Sequence, residues 1–456
     1  MAKTDFVCRN CQYSTPRWMG KCPQCGEWNT FLEKIQTPAR TKRLSSSVAQ
    51  PIRLSDVTAL ELETDRRIPG PLGEVDRVLG GGIVEGSLIL LSGDPGIGKS
   101  TLLLNLAGGL ALLGKNVLYG SSEESLHQLL LRIQRLRIKR NESLFLLSTD
   151  RYSDIAQATE TTAPQVVVVD SIQNLFHEEL DYLPGSVALI RDLSVRFMEM
   201  AKRKNVAVVL VGHVTKEGVV AGPRTLEHLV DVVLYLEGEP QSPLRMLRSV
   251  KNRFGSTQEV GLLEMKDEGL VELADPGQYF IAEGHASDSG NARTVIVEGK
   301  RALLIEVQSL VNPSYLDVPR RVSLGIDLNR LQLLVAVLEK RARVKFAAQD
   351  IYLNVVGGLR VTETVTDLAV CFSLASSRLE RKTDPRTVYL GEVGLSGEIR
   401  PGYMLGSRIQ EAFRNGVKRV VCSEYSLGNQ ASAFPQSLEI VRYKNVVEAL
   451  IGENIL

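Results

Sequence analysis

Gly93-Asp94-Pro95-Gly96-Ile97-Gly98-Lys99-Ser100 fits the pattern GxxxxGK[ST] in full. It lies between an apolar run, Ser87 to Ser92, and a helical pattern that begins at Lys99. Strand, glycine loop and helix in that order predict a phosphate cradle. The glycines let backbone N–H groups curl around a β-phosphate at the helix N-terminus. Lys99 reaches the β- and γ-oxygens, the Ser100 hydroxyl ligates Mg²⁺, and Thr101 completes the nucleotide-binding run that starts at Gly93. ATP and Mg²⁺ are the cofactors such a loop implies.

Outward from the loop, residues 66 to 275 alternate short β-branched runs with helical patterns, as a mostly parallel sheet with crossover helices does. Strands are expected at Ser87–Ser92, Asn116–Gly120, Leu144–Leu147, Gln165–Asp170, Val206–Gly212 and Asp231–Leu236. The runs Val166 to Val169 and Val206 to Val211 are almost wholly apolar, which places them centrally, buried on both faces. Asp170 ends the first of these runs, where a Walker B carboxylate stands to hold Mg²⁺ through water. Glu123 and Glu124 follow the strand at Asn116–Gly120, and Glu123 is the candidate for polarising the attacking water. A solvated acidic turn or a capping box before the helix at Ser125 is the competing account of that pair. His213, just past the strand Val206–Gly212, is a candidate γ-phosphate sensor or simply a structural histidine.

The front of the chain has a different chemistry. Cys8-x-x-Cys11 and Cys22-x-x-Cys25 are two knuckles in one short segment, the arrangement of a tetrahedral four-cysteine Zn²⁺ site with no open coordination position. A redox pair would need one CxxC beside a βαβ unit, and these two pairs lie outside one. Residues 1–30 are read as this zinc-binding module and 31–65 as a linker rich in Thr, Ser, Pro and Arg. Residues 1–53 carry nine Lys and Arg against three Asp and Glu, so this end suits phosphate. Arg9, Arg17, Trp18, Lys21 and Trp28 would suit DNA, although an aromatic packed on a zinc knuckle is commonplace.

Composition sets the limits. With 456 residues, two or three domains are expected. Apolar residues make up 44% and charged residues 23%, which excludes a disordered or collagen-like chain. The net charge of +1 gives no global pull toward nucleic acid, so any basic surface is local. No signal peptide is visible, and the window Leu102 to Gly114 is too short to span a bilayer, so a cytoplasmic protein without a membrane segment is expected. There is no tandem repeat of fixed period.

Several of these runs together resemble the bacterial DNA-repair ATPases of the RadA, or Sms, family. They are Leu72-Gly73-Glu74-Val75-Asp76-Arg77-Val78-Leu79-Gly80-Gly81-Gly82, the phosphate loop, Ser122-Glu123-Glu124-Ser125 and, most discriminating, Lys251-Asn252-Arg253-Phe254-Gly255. The cysteine knuckles in front and a further domain behind complete the same order. The resemblance implies an α/β fold with a RecA-like P-loop ATPase core that assembles as a homo-hexameric ring around DNA and moves along it. It implies single-stranded and branched DNA as track and a RecA-type recombinase as partner. ATP would then sit between subunits, with Lys251 and Arg253 reaching the neighbour's γ-phosphate as arginine fingers do. Without the family, a basic surface turn or strand end accounts equally well for that pair. The segment Thr215 to Arg224 matches a DNA-contacting loop of RecA-like proteins, with Lys216 and Arg224 as its candidate contacts.

Residues 276–456 form a second, α+β domain, set off by the polar stretch Glu283 to Asn291. Its clearest expected elements are strands at Thr294–Glu298, Leu303–Gln308 and Val388–Leu390 and helices near Asn329–Lys340 and Thr366–Arg378. It resembles the proteolytic domain of Lon, most clearly from Gly391 to Pro401. Val365 stands at the place of Lon's serine nucleophile, and no lysine occurs between Arg400 and Val417, so a catalytically inactive scaffold is expected. Lys345, Arg378, Arg381, Lys382 and Arg386 are candidates for a DNA-facing surface or a solvated face, and Cys371 and Cys422 read as buried small hydrophobes. The rivals to a DNA-translocating ATPase are a Lon-like ATP-dependent protease and a RecA-like signalling ATPase.

Overall fold

The computed structural model describes residues 4–8, 14–15, 18–28, 31–35, 67–180, 182–212, 226–239, 242–273, 275–281, 288–426 and 434–456. The chain divides into two compact units, residues 1–65 and 66–456. In the first, β1 (Thr4–Cys8) pairs antiparallel with β2 (Ser14–Thr15) on one side and β3 (Phe31–Ile35) on the other. The small module therefore reaches to residue 35, past the boundary at 30 expected from the sequence. Phe31-Leu32-Glu33-Lys34-Ile35 is too short and too charged to announce itself as a strand, and only its pairing with β1 makes it one.

The second unit opens with a two-stranded ribbon, β4 (Arg67–Ile68) and β5 (Ile83–Val84), which brackets α1 (Gly73–Leu79). A nine-stranded sheet follows. Its strands are β6 (Leu88–Gly93), β7 (Val117–Ser121), β8 (Leu144–Ser148), β9 (Val166–Asp170), β10 (Ala207–Val211), β11 (Val232–Glu237), β12 (Leu244–Asn252), β13 (Val260–Lys266) and β14 (Gly269–Glu272). The spatial order is β14-β13-β12-β11-β6-β10-β9-β7-β8. From β8 to β11 all pairings are parallel, and β12 to β14 continue the sheet as an antiparallel meander. As the Val166 and Val206 runs predict, β9 and β10 are interior and buried along their whole length.

The crossover helices are α2 (Lys99–Leu112), α3 (Leu126–Arg135), α4 (Tyr152–Thr162) and α5 (Val187–Lys204). α2 carries Leu102, Leu103, Leu104, Leu106 and Leu110 around its circumference and is buried on most sides, as an all-round apolar helix must be. α3 starts with a capping box made by Ser125 and Gln128. That cap leaves Glu123 and Glu124 outside the helix start.

After a short helix, α6 (Pro276–Tyr279), the second domain forms a seven-stranded mixed sheet. Its strands are β15 (Asn291–Glu298), β16 (Arg301–Pro313), β17 (Arg321–Leu324), β18 (Gln349–Val355), β19 (Thr387–Leu390), β22 (Arg419–Ser423) and β23 (Glu439–Tyr443), with a separate hairpin of β20 (Glu392–Val393) and β21 (Ile399–Arg400). Helices α7 (Leu328–Arg341), α8 (Asp367–Leu379), α9 (Leu405–Arg414) and α10 (Val446–Gly452) complete it. Cys371 and Cys422 are fully buried within it.

The two halves of this unit share a core. Alternate residues of β12 and β13 face opposite ways: Leu247 and Leu263 pack with the nucleotide-binding core, whereas Leu244, Val260 and Leu262 pack with Phe280 and the second domain's own Ile296, Leu303 and Phe346. Each such buried side chain contributes about 1.5–3 kcal/mol. Polar contacts join the same seam: Arg301 pairs with Glu74, Arg248 with Glu298 at 2.8 Å, and Lys300 N–H donates to the Gln258 carbonyl at 2.7 Å. Among the described residues no helix is long and apolar enough to cross a membrane.

Candidate active site

The phosphate loop joins the end of β6 to the start of α2. Gly93 has φ +148°, and a Cβ there would stand 2.3 Å from the Leu236 carbonyl oxygen on β11, so a side chain cannot enter. Lys99 is the first residue of α2 and is buried; its Nζ donates to the carbonyls of Gly93 at 2.9 Å and Asp94 at 3.0 Å. Burial pulls its ammonium below the ordinary lysine range, opposed by the negative charges of Asp170, Glu123 and Asp94. Two of those three, Asp170 and Glu123, are candidate catalytic carboxylates.

Asp170 closes β9, next to β7, with Ser121 directly opposite it. The Tyr119 hydroxyl, buried on β7, donates to Asp170 Oδ2 at 2.7 Å, while Oδ1 is buried without a hydrogen-bond partner among the described residues. Desolvation keeps the Tyr119 phenol protonated, well above its ordinary pKa, and the adjacent Asp170 charge adds to that. One carboxylate oxygen is therefore fixed and the other is left for a further partner. The two acidic residues after β7 separate clearly. Glu124 is tied to Arg132 at 2.7 Å, whereas Glu123 is exposed and accepts from the Ser171 hydroxyl at 2.6 Å, directly after Asp170. Beside Thr101 a cavity of about 230 Å³ is bounded by Arg135, Leu136, Met265, Lys266 and Gly269. None of these five was expected from sequence, since two separated elements contribute them.

The Lys251–Gly255 run ends β12 and is docked on the Leu72–Gly82 run. Asn252 Nδ2 donates to the carbonyls of Val78 at 3.4 Å and Leu79 at 3.3 Å, which the end of α1 leaves unpaired, and Arg67 Nη1 also donates to the Leu79 carbonyl at 3.1 Å. Gly255 meets Gly80 so closely that a Cβ on Gly255 would lie 3.3 Å from the Gly80 Cα. The register between β11 and β12 shifts at Val250, an extra residue that is 54% exposed. Such a bulge re-aims the side chains that follow it. Lys251 Nζ then donates to the Glu227 carbonyl at 2.7 Å, and Arg253, half exposed, pairs with Asp231 at 3.1 Å.

These two cations stand far from their own phosphate loop. Gly93 pairs with Leu236, and Leu236 with Leu247 on β12. With the bulge counted, Lys251 lies opposite Val233 and Arg253 beside Asp231, further along toward the opposite ends of the strands, roughly 10 and 17 Å away at about 3.3 Å per residue. His213, Lys216 and Arg224 lie outside the described residues.

In the small module, the Cys8, Cys22 and Cys25 sulfurs lie within 4.8 Å of one another, and Cys8 Sγ is 3.7 Å from Cys25 Sγ. Tetrahedral thiolates about 2.3 Å from one ion stand at about this separation, so the donor set fits Zn²⁺. Cys11, Arg9 and Arg17 lie outside the described residues. Trp18 and Trp28 are both exposed, with Lys21 Nζ 5.5 Å from the Trp28 ring centre.

In the second domain, Val365 is buried, and no lysine occurs between Arg400 and Val417. Within that stretch Arg408 of α9 is fully buried, paired through two guanidinium nitrogens with Glu363 and donating to the Tyr403 carbonyl at 2.8 Å. Of the five candidate surface cations, Arg386 pairs loosely with Asp384 at 3.7 Å. Arg378 and Arg381 donate to the carbonyls of Lys345 and Asn454, and Lys345 and Lys382 are exposed.

Comparison with known proteins agrees with this architecture. Residues 51–219 match the model of an AAA domain, and residues 6–33 match that of a rubredoxin metal binding domain. The chain is 45% identical over 455 residues to the DNA repair protein RadA of Bacillus subtilis (strain 168), covering 99% of each. It is 42% identical over 447 residues to the DNA repair protein RadA of Listeria monocytogenes, covering 98% of this chain and 97% of that one. A crystal structure of the RadB recombinase aligns with 44% of this chain and 98% of its own, at 20% identity and a TM-score of 0.35. With relatives this similar along essentially its whole length, the chain belongs to the RadA family.

Proposed function

We propose that the protein is a DNA-dependent ATPase of recombinational repair. It works as a hexameric ring that translocates on single-stranded and branched DNA and extends, by branch migration, the joints made by a RecA-type recombinase. The observation that carries this reading is the position of Lys251 and Arg253. They belong to the run that best marks the family, yet they stand at the opposite end of the strands from their own phosphate loop. Cations so placed serve a nucleotide held by the next subunit, and a ring closes that arrangement.

The cradle residues Gly93 to Thr101 hold the nucleotide, and the cavity beside Thr101 has room for its base. Ser100 and Asp170 hold Mg²⁺, for which the orphaned Asp170 Oδ1 is the fitting donor. When bound, that ion offsets charge building on the phosphate oxygens. Lys99 exchanges its two loop carbonyls for β- and γ-oxygens. Glu123, steadied by Ser171, orients and deprotonates the attacking water, and Glu124 is held to Arg132 through one oxygen. Lys251 and Arg253 leave Glu227 and Asp231 to meet charge developing on the neighbour's γ-phosphate. The four-cysteine module holds Zn²⁺ as a structural ion. The buried Val365 and the Arg408–Glu363 pair support a second domain that acts as scaffold and not as peptidase.

ATP turnover measured with and without single-stranded DNA tests the reading. DNA is expected to accelerate wild-type hydrolysis, and Arg253→Ala to lower it by about 1,000-fold and to poison wild-type rings when mixed in excess. Turnover indifferent to DNA would move the signalling-ATPase reading ahead. A second expectation concerns Tyr119→Phe, which keeps the buried ring and removes only the hydrogen bond to Asp170. Mn²⁺ binding in the presence of ADP, followed by electron paramagnetic resonance, should weaken about tenfold, as for other partners that orient metal ligands, with the melting temperature little changed. Unchanged Mn²⁺ affinity would mean that Asp170 needs no such support.

A further inference from the structure

Arg245, the second residue of β12, is buried at 7% exposure and pairs with no carboxylate of the described residues. Its Nε donates to the carbonyl of Ile97, inside the phosphate loop, at 2.9 Å. Its Nη1 donates to the carbonyls of Ser242 at 2.5 Å and Glu239 at 3.3 Å, in the connection between β11 and β12, and to that of Leu244, which opens β12, at 2.8 Å. Burying a guanidinium without a counter-ion costs several kcal/mol, and a leucine in this strand would avoid that cost. Stability alone does not account for an arginine here; holding a carbonyl of the phosphate loop in place does.

The rest of β12 is held along its length. It is hydrogen-bonded to β11 and β13 on both edges, Met246 packs on the second domain's core, and Arg248 pairs with Glu298. The strand therefore has a fixed position relative to the loop at one end and to Lys251 and Arg253 at the other. We propose that Arg245 is a positioning residue that fastens the phosphate loop to β12, making this strand the mechanical link between a subunit's own nucleotide and the cations it offers its neighbour. A shift of the loop when the γ-phosphate is lost is passed through Arg245 to the strand, and so to the next site in the ring. The link to the neighbour rests on the trans role of Arg253 given above; the grip of Arg245 on the loop does not.

A double-mutant cycle tests it, with Arg245→Met, Arg253→Lys and the double variant of the full chain. Arg253→Lys keeps the charge so that turnover stays measurable. Arg245→Met is expected to slow DNA-stimulated hydrolysis by roughly 10–100-fold, the scale of a displaced catalytic loop. If the strand is the link, the double variant runs within about threefold of the slower single variant, because either change already uncouples the sites. Arg245→Lys, which restores charge and one donor, should recover part of the loss. Effects that multiply, or wild-type turnover by Arg245→Met, would overturn the proposal. If neither Arg253→Lys nor Arg253→Ala slows hydrolysis, the trans reading itself fails and the link to the neighbour falls with it. Should Arg245→Met fail to fold, Arg245→Lys takes its place in the cycle, since it keeps the buried charge but a single ammonium cannot span the Ile97 carbonyl and those of Glu239, Ser242 and Leu244 together, so a smaller loss with the same non-additivity is expected.

Discussion

Lys99→Ala is expected to lower ATP turnover by about 100–1,000-fold, the scale at which removing one preorganised donor acts, while the protein stays folded and assembled. Lys99 is the first residue of α2, and its ammonium rests only on carbonyls of Gly93 and Asp94. Its loss leaves two acceptors short of one donor, a cost of about 1–3 kcal/mol if both remain dry. That is small beside the core packed around α2. The chemical loss is larger because the neighbouring cations are committed elsewhere: Arg245 is held by the carbonyls of Ile97, Ser242 and Leu244, and Lys251 and Arg253 sit toward the opposite ends of the strands. Turnover under saturating ATP, together with a thermal melt, checks both halves. A melt lowered by tens of degrees would mean that Lys99 acts chiefly on the fold.

The largest effect on stability is expected from Arg408→Ala, at about 3–5 kcal/mol, because it strands a partly buried carboxylate. The Arg408 side chain has no exposed surface and donates to Glu363, Val295 and Tyr403. Glu363 in turn accepts from the Val297 N–H at 2.9 Å, so the pair stitches the start of α9 to β15 and to the turn before α8. Replacing both partners at once, Arg408→Met with Glu363→Leu, should recover most of the loss, since well-packed apolar groups often match a buried ion pair. Chemical denaturation of the single and double variants measures this. Equal loss in both would place the value of the site in shape and not in charge.

Much of the nucleotide site is legible in the sequence because its parts are contiguous or end an apolar run. The loop Gly93 to Ser100 is one word, and Asp170 ends a strand so apolar that burial on both faces is the simplest reading. Strand β12 is different. Leu244-Arg245-Met246-Leu247-Arg248-Ser249 has charged and apolar residues on both faces, because one face meets the phosphate loop and the other a second domain with its own acidic partner. The alternation that betrays a half-solvated strand is absent. Arg245 and Tyr119 act at a distance in sequence from what they hold, 148 and 51 residues away, and a polar side chain within an apolar run is the one signal that points to them. In the small module, β3 is legible only through its partner.

The shared packing along β12 and β13 has a practical consequence for anyone who would cut the chain in two. A fragment ending near Ile281 would keep the whole nine-stranded sheet but present Leu244, Val260, Leu262 and Phe280 to water. Such a piece invites self-association and loss of turnover for reasons unrelated to what the missing half does. Deleting the second domain is therefore a poor way to learn its role, and point substitutions on its outer surface are the sounder instrument.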